Sequence, residues 1–364
     1  MKILFAIKAM DDIKGGAERV IADVTAGLID RGHEVLLLTF DKPNSKSFYP
    51  LHEKLRLLHL GVGAAKERSG LFETVKRIIA LRKEVTKENP DCVVGFMHSM
   101  FIPLSIALLG TGIPAIASEH IVPQYYKNRK LEFFALVFCG LLLRRITVLS
   151  DSVKNLYPRI LRSRMVSIAN PVCFFARDDR RRDSKIILNI GRLTAQKDQE
   201  TLIDAFAFLA KEFPDWILRI IGEGELEEKL KHQIGTLGLS ARVILAGTTS
   251  DIEKEYRAAA FLAVSSRYES FGLVTAEAMA CGLPVVGFAD CPGTNELIID
   301  GENGFLVRGE QRARAFSEKM ATLMRSVDIR LTMGERGVRA VEKFAPEKII
   351  DKWENIIIDV ISKK

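Results

Sequence analysis

Paired cysteines are missing from this sequence. Cys92, Cys139, Cys173, Cys281 and Cys291 are odd in number and none lies at metal-ligand spacing from another, so neither a disulfide framework nor a zinc site is indicated. They read as small buried apolar residues. No Asp-x-Asp occurs anywhere, and a metal held by paired aspartates is therefore not expected. There is also no Gly-Lys-Ser or Gly-Lys-Thr, which excludes a Walker loop. No Gly-x-Gly-x-x-Gly follows a strand, and "GEGELE" lacks the third glycine of a dinucleotide fingerprint. Long apolar runs are absent as well: Phe133 to Leu143 is too short for the roughly 20 residues that span a bilayer. "MKILFAI" runs from Met1 straight into a strand-like stretch without a signal-peptide core or cleavage site, and the expected location is cytoplasmic.

What is there suits a globular enzyme of roughly two domains: 364 residues, 48% hydrophobic and 27% charged. The net charge of +7 is unevenly distributed. Residues 1–170 hold 25 Lys and Arg against 16 Asp and Glu, whereas the remainder holds 28 against 30. An anionic surface or ligand met by the first half alone follows from that asymmetry.

Apolar strand runs alternate with helical periodicity in both halves. "KILFAI", "EVLLLTF", "DCVVGF", "PAIASE" and "RITVLS" are separated by helices predicted over 17–30, 71–88, 99–109 and 130–143. A second series, "KIILNI", "WILRIIG", "RVILAG", "FLAVSS" and "PVVGF", is separated by helices over 198–212, 225–237, 251–258 and 273–281. The aperiodic stretch "CFFARDDRRRDS" between the two series reads as a linker. The fold class is α/β, with two Rossmann-like doubly wound domains face to face around a cleft. Their expected extents are 1–172 and 185–345, followed by an apolar-striped helix over 346–364.

Four features fall at strand ends, where such sheets bind ligands. "GGAER" follows the first strand, and Gly15 and Gly16 there let backbone approach a phosphate or sugar. "SEH" places His120 at the rim of another strand. "GRLTAQKD" sets Arg192 and Lys197 after the first strand of the second series, two cations suited to a diphosphate. The fourth is "ESFGLVTAE", preceded in the chain by "IIGEGELEE" with Gly222 and Gly224. Glu269 lies on its loop and Glu277 on the helix that the loop opens. The helix start at Phe271, Gly272 and Leu273 can hold an anion, so the carboxylates suit hydroxyl groups on either side of a phosphate.

"GGAER", "GRL" with Lys197, "GEGE" and "ESFGLVTAE" followed by "AMACGLPVV" occur in one order, and together they resemble glycosyltransferase family 4 over nearly the whole chain. These are the retaining GT-B enzymes. The resemblance implies that Arg192 and Lys197 grip the diphosphate of a nucleotide-sugar donor, with a UDP-sugar expected, and that Glu269 binds the transferred sugar. It implies that Glu277 binds the ribose, that Thr249 lies near the base, that His120 approaches the reaction centre and that the "GGAER" loop meets the donor. "NPV" and "CPGTNE" depart from the usual family pattern. A hexose or N-acetylhexosamine transferred to a lipid-linked saccharide, in O-antigen, capsule or lipopolysaccharide assembly, is the expected activity. A sugar-nucleotide epimerase and a transferase acting on a soluble small-molecule acceptor are the alternatives. Neither cofactor nor metal is expected, and nucleic acid is not an expected partner. The basic first half and its segments 71–88 and 127–145 imply peripheral attachment to an anionic membrane surface, on the inner face of the cell membrane.

Overall fold

The computed structural model describes all residues except 12, 14, 64–69, 175–182, 250 and 364. Most of the charged stretch read as a linker therefore lies outside the described residues. The chain forms two compact units, one made of residues 1–171 with 346–364 and the other of residues 172–345.

The first unit runs β1 (Lys2–Ala6), α1 (Gly16–Asp30), β2 (Glu34–Thr39), β3 (Arg56–His59), α2 (Leu71–Glu88), β4 (Cys92–Phe96), α3 (His98–Ala107) and β5 (Ala115–Ser118). It continues through α4 (Lys130–Gly140), β6 (Arg145–Val148), α5 (Asp151–Leu156), α6 (Arg159–Arg162) and β7 (Met165–Ser167). Its sheet is parallel with order β3-β2-β1-β4-β5-β6-β7. Strands covered on both faces need no polar alternation, which is why β4, "CVVGF", is buried throughout.

The second unit runs β8 (Ile186–Ile190), α7 (Gln199–Leu209), β9 (Ile217–Ile221), α8 (Glu227–Thr236), β10 (Val243–Leu245), α9 (Ile252–Ala258) and β11 (Phe261–Val264). Then follow α10 (Leu273–Ala280), β12 (Val285–Phe288), α11 (Thr294–Leu297), β13 (Gly304–Val307), α12 (Arg312–Arg325) and α13 (Val327–Val341). The parallel order is β10-β9-β8-β11-β12-β13. Strand order reverses beside β1 in the first sheet and beside β8 in the second, and ligands of open α/β sheets bind outside the strand ends at such points.

The last helix, α14 (Pro346–Ser362), returns to the first unit. Trp353 stacks on Phe96 at 5.8 Å between ring centroids, and Ile350 packs where only a glycine, Gly27, leaves room on α1. Arg31 holds Glu354 at 2.7 Å and Asp351 at 2.6 Å.

Several helices are shorter than their periodicity predicts. The apolar run of α4 continues to Leu143, yet the helix ends at Gly140. Leu142 and Leu143 bond back three residues, to Cys139 and Gly140, in turns that feed β6 while Leu143 stays buried. Apolarity there serves packing and not helix. In α2, two of the basic residues expected at a membrane-facing surface are committed elsewhere. Arg77 is buried with its guanidinium 4.8 Å from the Phe40 ring, and Arg82 donates to the carbonyls of Ala107 and Leu109 at 2.8 and 2.7 Å.

Candidate active site

In the second unit, the loops that leave the central strands β8 and β11 lie side by side because the two strands are adjacent and parallel and both end at the carboxyl end of the sheet. Hydrogen bonds join them: Arg267 N–H donates to Gln196 O at 2.8 Å and Gln196 Nε2 to Tyr268 O at 2.9 Å. Ser265 Oγ donates to Lys197 O at 2.8 Å. This frame brings Lys197 Nζ within 2.6 Å of Glu269 Oε1, with both side chains mostly covered. Asp198 starts α7 in a left-handed conformation and faces Arg267 Nε at 3.2 Å. Arg192, on the same loop as Lys197, is exposed and forms no ion pair with a described residue.

Glycines let the neighbouring loops approach. Gly222 has φ +143°, and a Cβ there would run into Gly191 O. Leu193 N–H donates to Glu223 O at 2.9 Å, so the "GEGE" backbone braces the loop that carries Arg192 and Lys197. Gly293, with φ +78°, has no room for a side chain against Glu269 O and Phe271 N, and Glu269 N–H donates to Pro292 O at 3.0 Å. The "CPGTNE" loop thus fixes Glu269 from behind.

Gly272 is the N-cap of α10 in a left-handed conformation, and no side chain caps that helix start. Backbone N–H groups at such an end carry a partial positive charge. Phe271 is buried edge-on against Phe344 at 5.1 Å, so its ring is packed away and only its backbone borders the α10 start. One turn further in, Glu277 is buried and accepts from Tyr256 Oη at 2.8 Å. Thr249 lies beyond edge strand β10, where its Oγ1 accepts from Asp251 N–H at 3.1 Å.

In the first unit, Gly15 is the N-cap of α1 and the Glu18 carboxylate folds into the space a Cβ would take. His120 follows β5, with Nε2 2.9 Å from Ser118 Oγ and its ring stacked on Phe96 at 4.9 Å. Burial holds its pKa down at about 4. Beside it, Glu119 is buried and pushed up to about 8 by desolvation; it accepts from Tyr126 Oη at 3.1 Å and Ile121 N–H at 3.0 Å. His98 Nδ1 lies 3.9 Å from Glu119 Oε2, and burial lowers that imidazole to about 4 as well. Met97, just before it, has φ +64°, a strained value for a non-glycine residue at the end of β4.

Two family models meet end to end on this chain. The model for Glycosyltransferase Family 4 matches residues 14–173 and that for Glycosyl transferases group 1 matches residues 174–339. The chain belongs to this glycosyltransferase family. The transferase is similar, at 26% identity over 99% of both chains, to a Campylobacter jejuni α-1,4-N-acetylgalactosaminyltransferase named for a diphosphoundecaprenol-linked saccharide. Among solved structures, a sucrose-phosphate synthase from Thermosynechococcus elongatus matches with TM-score 0.88 and 20% identity over 100% of both chains. Anabaena HepE, solved with UDP, matches with TM-score 0.78 and 19% identity over 99% of this chain and 100% of that one. The fold is GT-B.

In this transferase Lys197, Glu269 and the α10 start form one cluster, with Gly222 behind the Arg192 loop. Glu277 is a turn deeper and Thr249 stands apart at the sheet edge. His120 is not exposed at a rim: its ring is held between the Phe96 face and Ser118. His98, Glu119 and Tyr126 were not singled out from sequence. "GFMHS" and "SEH" show only that both histidines follow strands, and that adjacency was their one available signal.

Proposed function

We propose that the transferase moves a hexose or N-acetylhexosamine, with retention and without a metal, from a UDP-sugar to a lipid-linked saccharide in surface glycan assembly. The observation that carries this reading is the Lys197–Glu269 pair at 2.6 Å beside an uncapped helix start. Phosphate oxygens suit Lys197, Arg192 and the α10 amides, and sugar hydroxyls suit Glu269. As the nucleotide leaves, negative charge grows on its diphosphate, and fixed cations and oriented N–H groups stabilise that charge more than the ground state. Glu277, anchored by Tyr256, takes the ribose. Attack by the acceptor on the face that the leaving group vacates gives retention, with the departing phosphate as base.

The UDP in the HepE structure and the diphosphoundecaprenol in the Campylobacter relative's name support the donor and acceptor classes. The first unit is read as peripheral on an anionic membrane. No described helix is long and apolar enough to cross one, but α2 leaves Leu71 85% exposed and α4 leaves Phe134 71% exposed. The test is transfer from UDP-, GDP- and ADP-sugars to polyprenyl-diphosphate saccharides, with and without excess EDTA. Transfer from a UDP-sugar that survives EDTA is expected. Epimerisation without acceptor, or loss of activity restored by magnesium, overturns the reading.

A further inference from the structure

A cavity of about 530 Å³ opens in the first unit between the segment after β5, α4 and the α5–α6 turn. Its wall holds three cations, Lys127, Lys130 and Arg162. None of them is paired with a carboxylate among the described residues. Arg162 is fixed in place by donating to the carbonyls of Tyr157 and Asn155 at 2.8 and 2.6 Å, while the two ammonium groups are exposed. The other side is aromatic: Phe133 stands 5.6 Å from Tyr126 and 6.4 Å from Tyr157, centroid to centroid. Both tyrosine hydroxyls are already used, on Glu119 and on the Ile121 carbonyl, so the rings meet a ligand through apolar surface. Directly beyond Lys130, α4 exposes Leu131, Phe134 and Phe138 at helical spacing along its outer face.

Three like charges without counter-ions, converging on one cavity beside an apolar row, fit a ligand that joins a polyanionic group to a hydrocarbon chain. We propose that this cavity binds the diphosphate of the lipid-linked acceptor, with the hydrocarbon chain leaving along Leu131 and Phe134. The assignment rests on the reading of the acceptor given above. Tyr126 then joins the two regions of the first unit: it lines the cavity and donates to Glu119, the residue before His120. The diphosphate is thereby gripped close in the chain to the residues expected near the reacting sugar.

Farnesyl diphosphate below its micellar concentration is the probe, measured by calorimetry against farnesol, inorganic diphosphate and phosphatidylglycerol vesicles. The wild-type chain should bind farnesyl diphosphate more tightly than either half alone. Lys127→Gln/Lys130→Gln, two exposed positions that leave the core intact, should weaken that binding by roughly thirtyfold, the worth of two lysine–phosphate contacts. Its UDP affinity should be unchanged, and in transfer assays KM for the lipid-linked acceptor should rise while kcat holds. Equal binding of farnesyl diphosphate by variant and wild type overturns the proposal. So does inorganic diphosphate binding as well as the lipid, or a defect confined to vesicles, which would make the cavity a headgroup site. Binding in the cavity by a chain that transfers no sugar instead overturns the proposed function and leaves the site standing.

Discussion

Lys197 and Glu269 neutralise each other at 2.6 Å, and in the proposed reaction a donor takes phosphate on the one and hydroxyl on the other. Lys197→Ala should lower turnover roughly a hundred- to thousandfold, as loss of one group that stabilises a developing oxyanion does, and Glu269→Gln should lower it as well, because the charged acceptor for the sugar hydroxyls is lost. Initial rates with saturating donor test this, and near-normal rates in both variants would remove the pair from the site. Glu119 carries a second prediction at this scale. Its pKa is raised from 4.5 to about 8, so the unfolded chain releases a proton that the folded chain keeps. Stability from this group is complete below pH 4.5 and declines as pH rises toward about 8. His98 and His120 act in the opposite sense: both fall from 6.5 to about 4, so their contribution is present above 6.5 and is lost as pH falls. Thermal unfolding from pH 5 to 9 should therefore show an alkaline decline that Glu119→Gln flattens. Parallel curves for wild type and variant would contradict the assigned pKa. Such a carboxyl could not be found in "SEH", because an acid beside a histidine reads as a solvated surface until burial is known.

The elements that position the site differ in how plainly the sequence marks them. β8 and β11 are legible as apolar runs, broken in β8 only by the buried Asn189, since strands buried on both faces carry no alternation. Their being neighbours is not legible: it comes from the sheet order, and only that order makes Lys197 meet Glu269 across 72 residues. The exposed faces of α2 and α4 are not legible in the sequence for another reason. A helix covering a sheet and a helix facing lipid show the same apolar period, and only the structure leaves Phe134 and Ile79 uncovered. Gly222 gives an element-scale prediction. With φ +143° and the Gly191 carbonyl where a Cβ would stand, Gly222→Ala should cost about 1–3 kcal/mol and displace the Arg192 loop. Urea unfolding and donor KM should change together. A variant with wild-type stability would show that the two loops can separate freely.

Across the whole molecule, the excess positive charge stays with the first unit even after α14 joins it, since residues 346–364 contribute four basic and four acidic groups. Sedimentation with anionic vesicles should be strong at low salt and weak at high salt, with little binding to neutral vesicles. Equal binding to both vesicle types would leave a soluble acceptor as the better account.

Because α14 belongs to the first unit although the second unit lies before it in the chain, the order of synthesis and the order of completion are reversed. The faces of Phe96 and Phe5 that meet Trp353 stay uncovered until that residue has been translated. At about 5–20 residues per second, the roughly 250 residues between Phe96 and Trp353 take tens of seconds to make. The second unit, contiguous in sequence, can close its core while the ribosome is still working. The first unit, begun earlier, is finished last, and the patch of Phe5, Phe96 and Gly27 that α14 covers stays open for that whole interval.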